Sequence, residues 1–166
     1  MKKLLLLSAL LISFSSFGQI TYYESGAIKS KVEDVDYEAE LYDVITYYES
    51  GAIKSSESYI MYDENIPNGS SIYYYESGEI KETNYYIEGV PEQERIQYYE
   101  SGAVKSKVNY VDGKLQGEGI SYYESGAVRK KGNLVDGKVQ GELKYYTING
   151  EIDKIENYKD GELIED

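Results

Sequence analysis

The chain has 166 residues, 30 of them acidic and 17 basic, so its formal net charge at pH 7 is −13. It contains 21 tyrosines but no histidine, cysteine or tryptophan. The missing residues exclude Ser-His-Asp and Cys-His nucleophiles, imidazole acid–base catalysis and ordinary zinc sites. A negative field repels phosphates, so no nucleic-acid partner is expected.

The N-terminal segment has the order of features of a secretory signal peptide. Two lysines precede an apolar run from Leu4 to Phe14, and small residues follow at Ser16 and Gly18. This pattern predicts a signal peptide over residues 1–18, with cleavage before Gln19 and export to the periplasm, the outer surface or the medium. The apolar run is shorter than the roughly 20 residues of a membrane-spanning helix, so no membrane span is expected.

The rest of the chain is built from a repeated pentapeptide, Tyr-Tyr-Glu-Ser-Gly. Its five copies are Tyr22–Gly26, Tyr47–Gly51, Tyr74–Gly78, Tyr98–Gly102 and Tyr122–Gly126. A near-constant period of about 24 residues is typical of repeat proteins, in which each unit packs against its neighbours. We therefore predict a single repeat domain over residues 19–166. Its six units are 19–43, 44–69, 70–93, 94–117, 118–141 and 142–166.

Each complete unit contains two turn signals. In the unit 94–117 they are Ser101-Gly102 and Asp112-Gly113, with alternating segments between them. Glycine supplies the positive φ of tight hairpin turns, and Asp-Gly is a strong hairpin signal. The sequence thus predicts an all-β fold, an antiparallel β-hairpin repeat array that forms an open meander or solenoid. The first two units lack the second glycine turn, and Pro67 and Pro91 are expected to interrupt the ladder.

Strand alternation predicts which residues share a face. It groups the first tyrosine of each pair, such as Tyr98, with Val104 and Tyr110 on the inner face. The second tyrosine of each pair then lies on the outer face and is a candidate for binding a partner, because tyrosine is favoured in adaptable binding surfaces. These candidate residues are Tyr23, Tyr48, Tyr75, Tyr99 and Tyr123.

The repeat pattern resembles a known family. The motif YY-x-x-G-x-[IV]-K followed by Y-x-[DE]-G-K-x-x-G is similar to the variant MORN repeat of bacterial YwqK-type antitoxin components. The resemblance covers residues 20–163 and is strongest over Gln97–Gly141, whereas the second half of the motif is missing between Lys31 and Asn68. It implies a β-hairpin array and, for some relatives, neutralisation of a toxin. It brings no catalytic site with it.

Carboxylates are the remaining candidates for chemistry. The turn glutamates recur at one repeat position, and identical positions do not create the contrasting environments that a catalytic pair needs. The oxygen-rich stretch from Asp63 to Gly69 departs from the spacing of a calcium loop because Pro67 interrupts it. We therefore expect no enzyme activity, no cofactor and no metal site.

Three functions remain open at this stage. The first is an exported, non-enzymatic protein that binds another protein, with a toxin as the specific partner in an antitoxin-like or immunity-like role. The second is a cell-envelope module that binds glycans through exposed tyrosines. The third is a structural envelope protein.

Overall fold

The computed structural model describes residues 20–61 and 63–164, which form one antiparallel sheet of 13 strands. The predicted signal peptide lies outside the described residues. The strands are β1 (Thr21–Tyr22), β2 (Ile28–Asp36), β3 (Leu41–Tyr47), β4 (Ile53–Ile60), β5 (Asp63–Tyr74), β6 (Ile80–Ile87), β7 (Val90–Tyr98), β8 (Val104–Val111), β9 (Lys114–Tyr122), β10 (Val128–Val135), β11 (Lys138–Tyr146), β12 (Ile152–Lys159) and β13 (Glu162–Leu163).

The order of the strands in the sheet is their order in the chain, so every connection is a hairpin. The predicted all-β hairpin array is confirmed. The described residues contain no helix that is long and apolar enough to cross a membrane.

The Tyr-Glu-Ser-Gly segments form the turns at one end of the strands. In the fourth copy, the Gly102 amide donates to the Tyr99 carbonyl (2.9 Å) and the Tyr99 amide donates to the Ala103 carbonyl (2.8 Å). Gly102 has a φ of 82°, a left-handed conformation that costs glycine nothing. The turn therefore recurs wherever the glycine does.

Two-residue turns connect the strands at their opposite end. Asp112 and Gly113 both have positive φ values, 49° and 76°, as a type I′ hairpin turn requires. The Gly113 amide donates to the Pro91 carbonyl of the preceding hairpin at 3.1 Å. The same arrangement occurs at Glu88-Gly89, Asp136-Gly137 and Asp160-Gly161. These turns thus close one hairpin and tie it to the previous one.

The hairpin of β2 and β3 makes its turn without glycine. The carboxylate of Asp36 accepts hydrogen bonds from the Glu38 and Ala39 amides, both at 2.9 Å. Glu40 then takes the left-handed conformation, with a φ of 57°. A side chain that caps the loop takes the place of the turn glycine of the later hairpins.

The two prolines lie inside strands. Pro67 pairs with Tyr59 within β5, and Pro91 pairs with Tyr86 within β7. The carbonyls of Pro67 and Pro91 accept the bonds from the next turn. Pro91 lies within a run of consecutive pairs, so the prediction that it interrupts the ladder was wrong. At Pro67 the register shifts between Glu57 and Tyr59 and again between Tyr59 and Ile60, so the ladder is interrupted there as predicted.

A β-bulge beside each Tyr-Glu-Ser-Gly turn shifts the register by one residue. Gln97 pairs with Ser106, but the next pair is Tyr98 with Val104, which leaves Lys105 as an extra residue. The same shift occurs beside the other turns at this end of the strands. Because an extra residue reverses the alternation beyond it, residues on either side of the bulge exchange faces.

The bulge corrects the predicted grouping. Val104 shares a face with Tyr98, but Tyr110 lies on the opposite face, so the predicted common inner face was wrong. We call the face of the first tyrosines the open face; its central row includes Ile45, Ile72, Ile96, Ile120 and Ile155. We call the other the packed face; it includes Tyr42, Tyr73, Arg95, Val108, Leu134 and Leu143.

Few side chains in the sheet are fully buried. Among the described residues, the buried apolar side chains are Tyr42, Ile60, Met61 and Leu143. Tyr42 stacks on Tyr59 with the ring centroids 5.8 Å apart. No second layer covers this sheet in the described part of the chain, so large side chains such as Tyr42 and Leu143 must cover the packed face themselves. Tyrosine suits this position because its ring covers the sheet while its hydroxyl group can stay solvated or hydrogen-bonded.

Candidate binding surfaces

The second tyrosines join each hairpin to the next one. The hydroxyl of Tyr99 donates to the carbonyl of Tyr122 at 2.7 Å, in the following unit. The other four bonds are Tyr23 to Tyr47, Tyr48 to Tyr74, Tyr75 to Tyr98 and Tyr123 to Tyr146, at 2.7–2.8 Å. We call these five bonds the junction bonds. They give a carbonyl at each repeat junction a donor, which a part-buried backbone group needs.

Four of these five tyrosine rings also face the lysine amine that follows their turn. The Lys105 amine lies 5.7 Å from the centre of the Tyr99 ring, and the Lys81 amine lies 5.7 Å from that of Tyr75. Lys29 and Lys54 are placed in the same way over Tyr23 and Tyr48, at 6.0 Å. Such cation–π contacts stabilise a partly exposed site by about 0.5–1 kcal/mol. The bulge makes them possible, because it turns the extra lysine toward the tyrosine.

The second tyrosines therefore lie on the packed face and are half-buried, each with its hydroxyl group bonded to the next unit. The sequence correctly predicted that the first and second tyrosines lie on opposite faces. It assigned the second tyrosines to the outer face, whereas they lie on the packed face. The role predicted for Tyr23, Tyr48, Tyr75, Tyr99 and Tyr123 in binding a partner remains a prediction. Their structural role, which reasoning from the sequence missed, is to couple successive repeats.

The exposed apolar side chains of the strands lie almost entirely on the open face. Eleven exposed large apolar residues of the described chain lie in strands, and Leu163 alone among them is on the packed face. The other ten are Tyr22, Ile28, Ile53, Ile80, Ile87, Val90, Val111, Val135, Ile152 and Ile155. A large exposed apolar area is rare on monomeric proteins and marks an interaction surface. The open face is therefore the strongest candidate binding surface.

The comparison with family models decides what these hairpins are. Residues 67–88, 94–112 and 115–136 match the MORN repeat variant, and each match spans one hairpin around a Tyr-Glu-Ser-Gly turn. The chain carries MORN-variant repeats. A search of curated proteins finds no match. The resemblance to the variant MORN repeat is confirmed, whereas the likeness to YwqK-type antitoxin components stays a prediction.

The MORN-variant units place rows of opposite charge on the open face. Lys107, Lys131 and Lys144 occupy the central row, in line with the isoleucines. Glu94, Glu118 and Glu142 occupy the neighbouring row, nearer the two-residue turns. The lysine–glutamate distances are 3.7, 2.6 and 2.9 Å, and Lys31 and Glu33 form a fourth pair at 2.5 Å. These charges largely cancel, so the open face is much less acidic than the chain as a whole.

The packed face carries the most connected polar cluster. Glu82 accepts hydrogen bonds from Arg95, Gln97 and Asn84 at 2.7–2.8 Å. Burial opposes ionisation of Glu82, but these three donors outweigh it and hold the pKa of the carboxyl below its usual range. Glu82 is thus a stable carboxylate whose lone pairs are already occupied, which suits a structural role.

A tyrosine–carboxylate cluster adjoins it. Glu57 accepts from the Tyr73 hydroxyl at 2.8 Å, and Tyr59 lies 3.4 Å from the same oxygen. Burial and the nearby Glu57 carboxylate raise the pKa of Tyr59 to about 12 and also raise the pKa of Tyr73. Tyrosines with raised pKa values stay protonated at neutral pH, so they are poor bases. No group of three or more metal-ligating side chains lies within the described residues.

One signal in the sequence could have located the open face. Each turn glycine is followed two positions later by Ile or Val and three positions later by Lys or Arg in the five pentapeptide copies. A β-branched residue and a cation that both remain near a turn are compatible with a bulge that leaves the aliphatic residue opposite the first tyrosine. Without the pairing register, however, the bulge position cannot be told from simple alternation.

Proposed function

We propose that this protein is an exported, non-enzymatic MORN-variant repeat protein that binds another protein through its open face. The distribution of exposed apolar residues supports this proposal. Ten of the eleven exposed apolar strand residues lie on one face, and the opposing charges of that face are paired within the chain. Burial of exposed apolar surface is the main driving force of protein association.

The absence of enzyme activity is part of the proposal. The turn glutamates, such as Glu100 and Glu124, are exposed and occupy equivalent positions. A carboxylate pair for acid–base catalysis needs one raised pKa and one ordinary pKa, which requires two different environments. The half-buried carboxylates Glu57 and Glu82 are instead surrounded by hydrogen-bond donors.

The finer hypothesis is an antitoxin-like or immunity-like role, which the family resemblance suggested. Export would place such an inhibitor in the periplasm or outside the cell, so its target would be an exported toxin. The glycan-binding alternative has less support. Rings that stack on sugars need a free face, and the rings of Tyr23, Tyr48, Tyr75 and Tyr99 already face lysine amines.

Two experiments test the proposal. Mass spectrometry of protein from the envelope or the medium should show a chain that begins at Gln19; recovery of the intact chain from the cytoplasm alone would contradict export. For the binding surface, the mature chain is used to capture partners from an envelope extract. A variant with Ile53→Glu and Ile80→Glu should lose capture, since a buried interface does not accept two unpaired charges.

The control variant carries Tyr99→Phe and Tyr123→Phe, which keeps both rings but removes two junction bonds. We expect it to retain partner capture under conditions in which it is folded. Equal capture by the parent and the open-face variant would show that binding uses another surface. Loss of capture in the tyrosine variant alone would support the role first predicted for the second tyrosines.

A further inference from the structure

We propose that the open face binds a second copy of this chain, with the two sheets packed face to face about a two-fold axis that runs across the strands. This inference rests on the proposed function, because it names the occupant of the same face. Each strand would then lie antiparallel over the same strand of the other copy. Three features of the open face support this arrangement.

The first feature is the spacing of the apolar side chains. Each first tyrosine pairs directly with the aliphatic residue after the bulge. The six pairs are Tyr22 with Ile28, Tyr47 with Ile53, Tyr74 with Ile80, Tyr98 with Val104, Tyr122 with Val128, and Tyr146 with Ile152. Successive pairs are two strands apart, about 10 Å. A second copy presents apolar groups with the same spacing over the whole length of the sheet, which a globular partner does not.

The second feature is the position of the charged rows. A two-fold axis across the strands reverses the direction of every strand in the other copy. It therefore places Lys144 over the partner's Glu142. Lys107 and Lys131 lie over the partner's Asn109 and Asn133, and each is flanked by two partner strands that carry a glutamate in the same row. A two-fold axis along the strands would instead place lysine over lysine. Charge complementarity selects the first arrangement.

The third feature is that both ends of a strand expose apolar residues on this face. β6 begins at Ile80, which is 38% exposed, and ends at Ile87, which is 51% exposed. When β6 lies antiparallel over its copy, Ile80 of one chain is placed over Ile87 of the other. Val90 and Val111 continue the apolar row at the Ile87 end. At that end of the strands Val111 pairs with Lys114 and Val135 pairs with Lys138. The interface would thus have one border of tyrosine and aliphatic side chains facing a border of aliphatic and lysine side chains, with charged and isoleucine side chains between them.

The size of the surface is sufficient for a stable dimer. Six pairs spaced about 10 Å apart cover about 50 Å along the sheet. With a width of about 16 Å, each copy buries about 800 Å², or about 1,600 Å² in total, which is the standard size of a specific interface. Aligned packing of two twisted sheets is a common arrangement in proteins.

Sedimentation equilibrium of the purified mature chain tests the inference in the absence of any other protein. We expect a dimer, and we expect Ile80→Lys and Ile87→Glu each to weaken it by tenfold or more. The control is Leu163→Glu, an exposed apolar residue of the packed face, which should leave the dimer unchanged. Circular dichroism shows whether each variant is folded.

An equimolar mixture of the Ile80→Lys and Ile87→Glu chains provides the decisive comparison. Because the arrangement places these two positions opposite each other, the mixture should associate more tightly than either variant alone. An unfolded variant cannot give this result. A failure of the mixture to associate, with both chains folded, would overturn the arrangement.

The remaining outcomes separate this inference from the proposed function. A parent chain that is monomeric at about 100 µM, far above the micromolar range of ordinary association, would overturn the inference. If that monomer still captured an envelope protein through Ile53 and Ile80, the proposed function would stand alone. A dimer that none of the open-face variants weakens would also overturn the inference.

Discussion

The junction bonds provide the sharpest test of how the repeats are held together. Replacing Tyr99 with Phe removes only the hydroxyl group that donates to the Tyr122 carbonyl at 2.7 Å. The ring, its packing and its contact with Lys105 remain. The net contribution of such a bond to folding is about 0.5–1.5 kcal/mol. The bond is part-buried, so water can replace the donor in part, and we expect a loss of about 1 kcal/mol.

Tyr98→Phe is the matched control in the adjacent residue. Tyr98 is half-buried on the open face, and no hydrogen bond of its hydroxyl group is seen within the described part of the chain. Its loss of stability should therefore be close to zero. The two variants have the same composition and the same change in volume, so any difference between them reports on the bond.

Urea unfolding followed by circular dichroism provides the measurement. For a domain of this size the dependence on urea is about 2 kcal/mol per molar, so a loss of about 1 kcal/mol shifts the midpoint by about 0.5 M. We also expect the five Tyr→Phe changes together to remove about 5 kcal/mol, which is comparable to the whole stability of many domains. Equal midpoints for Tyr99→Phe and Tyr98→Phe would refute the coupling role of the junction bonds.

The backbone, the packing and the electrostatics each supply one more prediction. Gln93 has a φ of 66° where the equivalent Gly117 has 79°, so Gln93→Gly should stabilise the fold by about 1 kcal/mol and Gly117→Gln should destabilise it by a similar amount in urea unfolding; changes of the same sign in both variants would contradict this. A side chain at Gly132 would meet the Leu143 Cδ1 at 2.6 Å, so Gly132→Val should lower the thermal midpoint, and this loss should be smaller in a Leu143→Ala background, where the colliding atom is gone; equal losses in the two backgrounds would show that the contact relaxes freely. The Lys154 amine and the Tyr145 and Tyr158 hydroxyls lower the pKa of Glu156 to about 2. This carboxylate therefore contributes stability above its ordinary pKa of 4.5 and loses it as the pH falls toward 2. Glu156→Gln should show a smaller decline in its urea midpoint over that range than the parent, and parallel curves would contradict the assignment.

The repeat, the hairpins and the turns could be predicted from the sequence because their causes are local. Most of the turns depend on a glycine that accepts a positive φ, and the near-constant period follows from the pentapeptide itself. The match of three stretches to the MORN repeat variant rests on these same local residues. Even the turn without glycine, at Asp36 to Glu40, depends on a nearby side chain.

The assignment of faces depended on the tertiary structure. One extra residue beside each turn, such as Lys105, reverses the alternation, and only the pairing of Gln97 with Ser106 and of Tyr98 with Val104 reveals it. Alternation counts residues along one strand, whereas a bulge is a property of two strands.

The different roles of the two tyrosines in each pair also depend on the pairing of the strands, so they could not be predicted from the sequence. Both residues of each pair have the same chemistry, so composition alone cannot distinguish the one that couples repeats from the one that lies on the open face. The Tyr99 hydroxyl meets a carbonyl 23 residues later only after two hairpins lie side by side. By itself, the sequence determined that the chain is a hairpin array, since glycine and tyrosine act over a few residues. The tertiary structure decided which side chains share the packed face and which share the open face, because that depends on contacts between residues far apart in the chain.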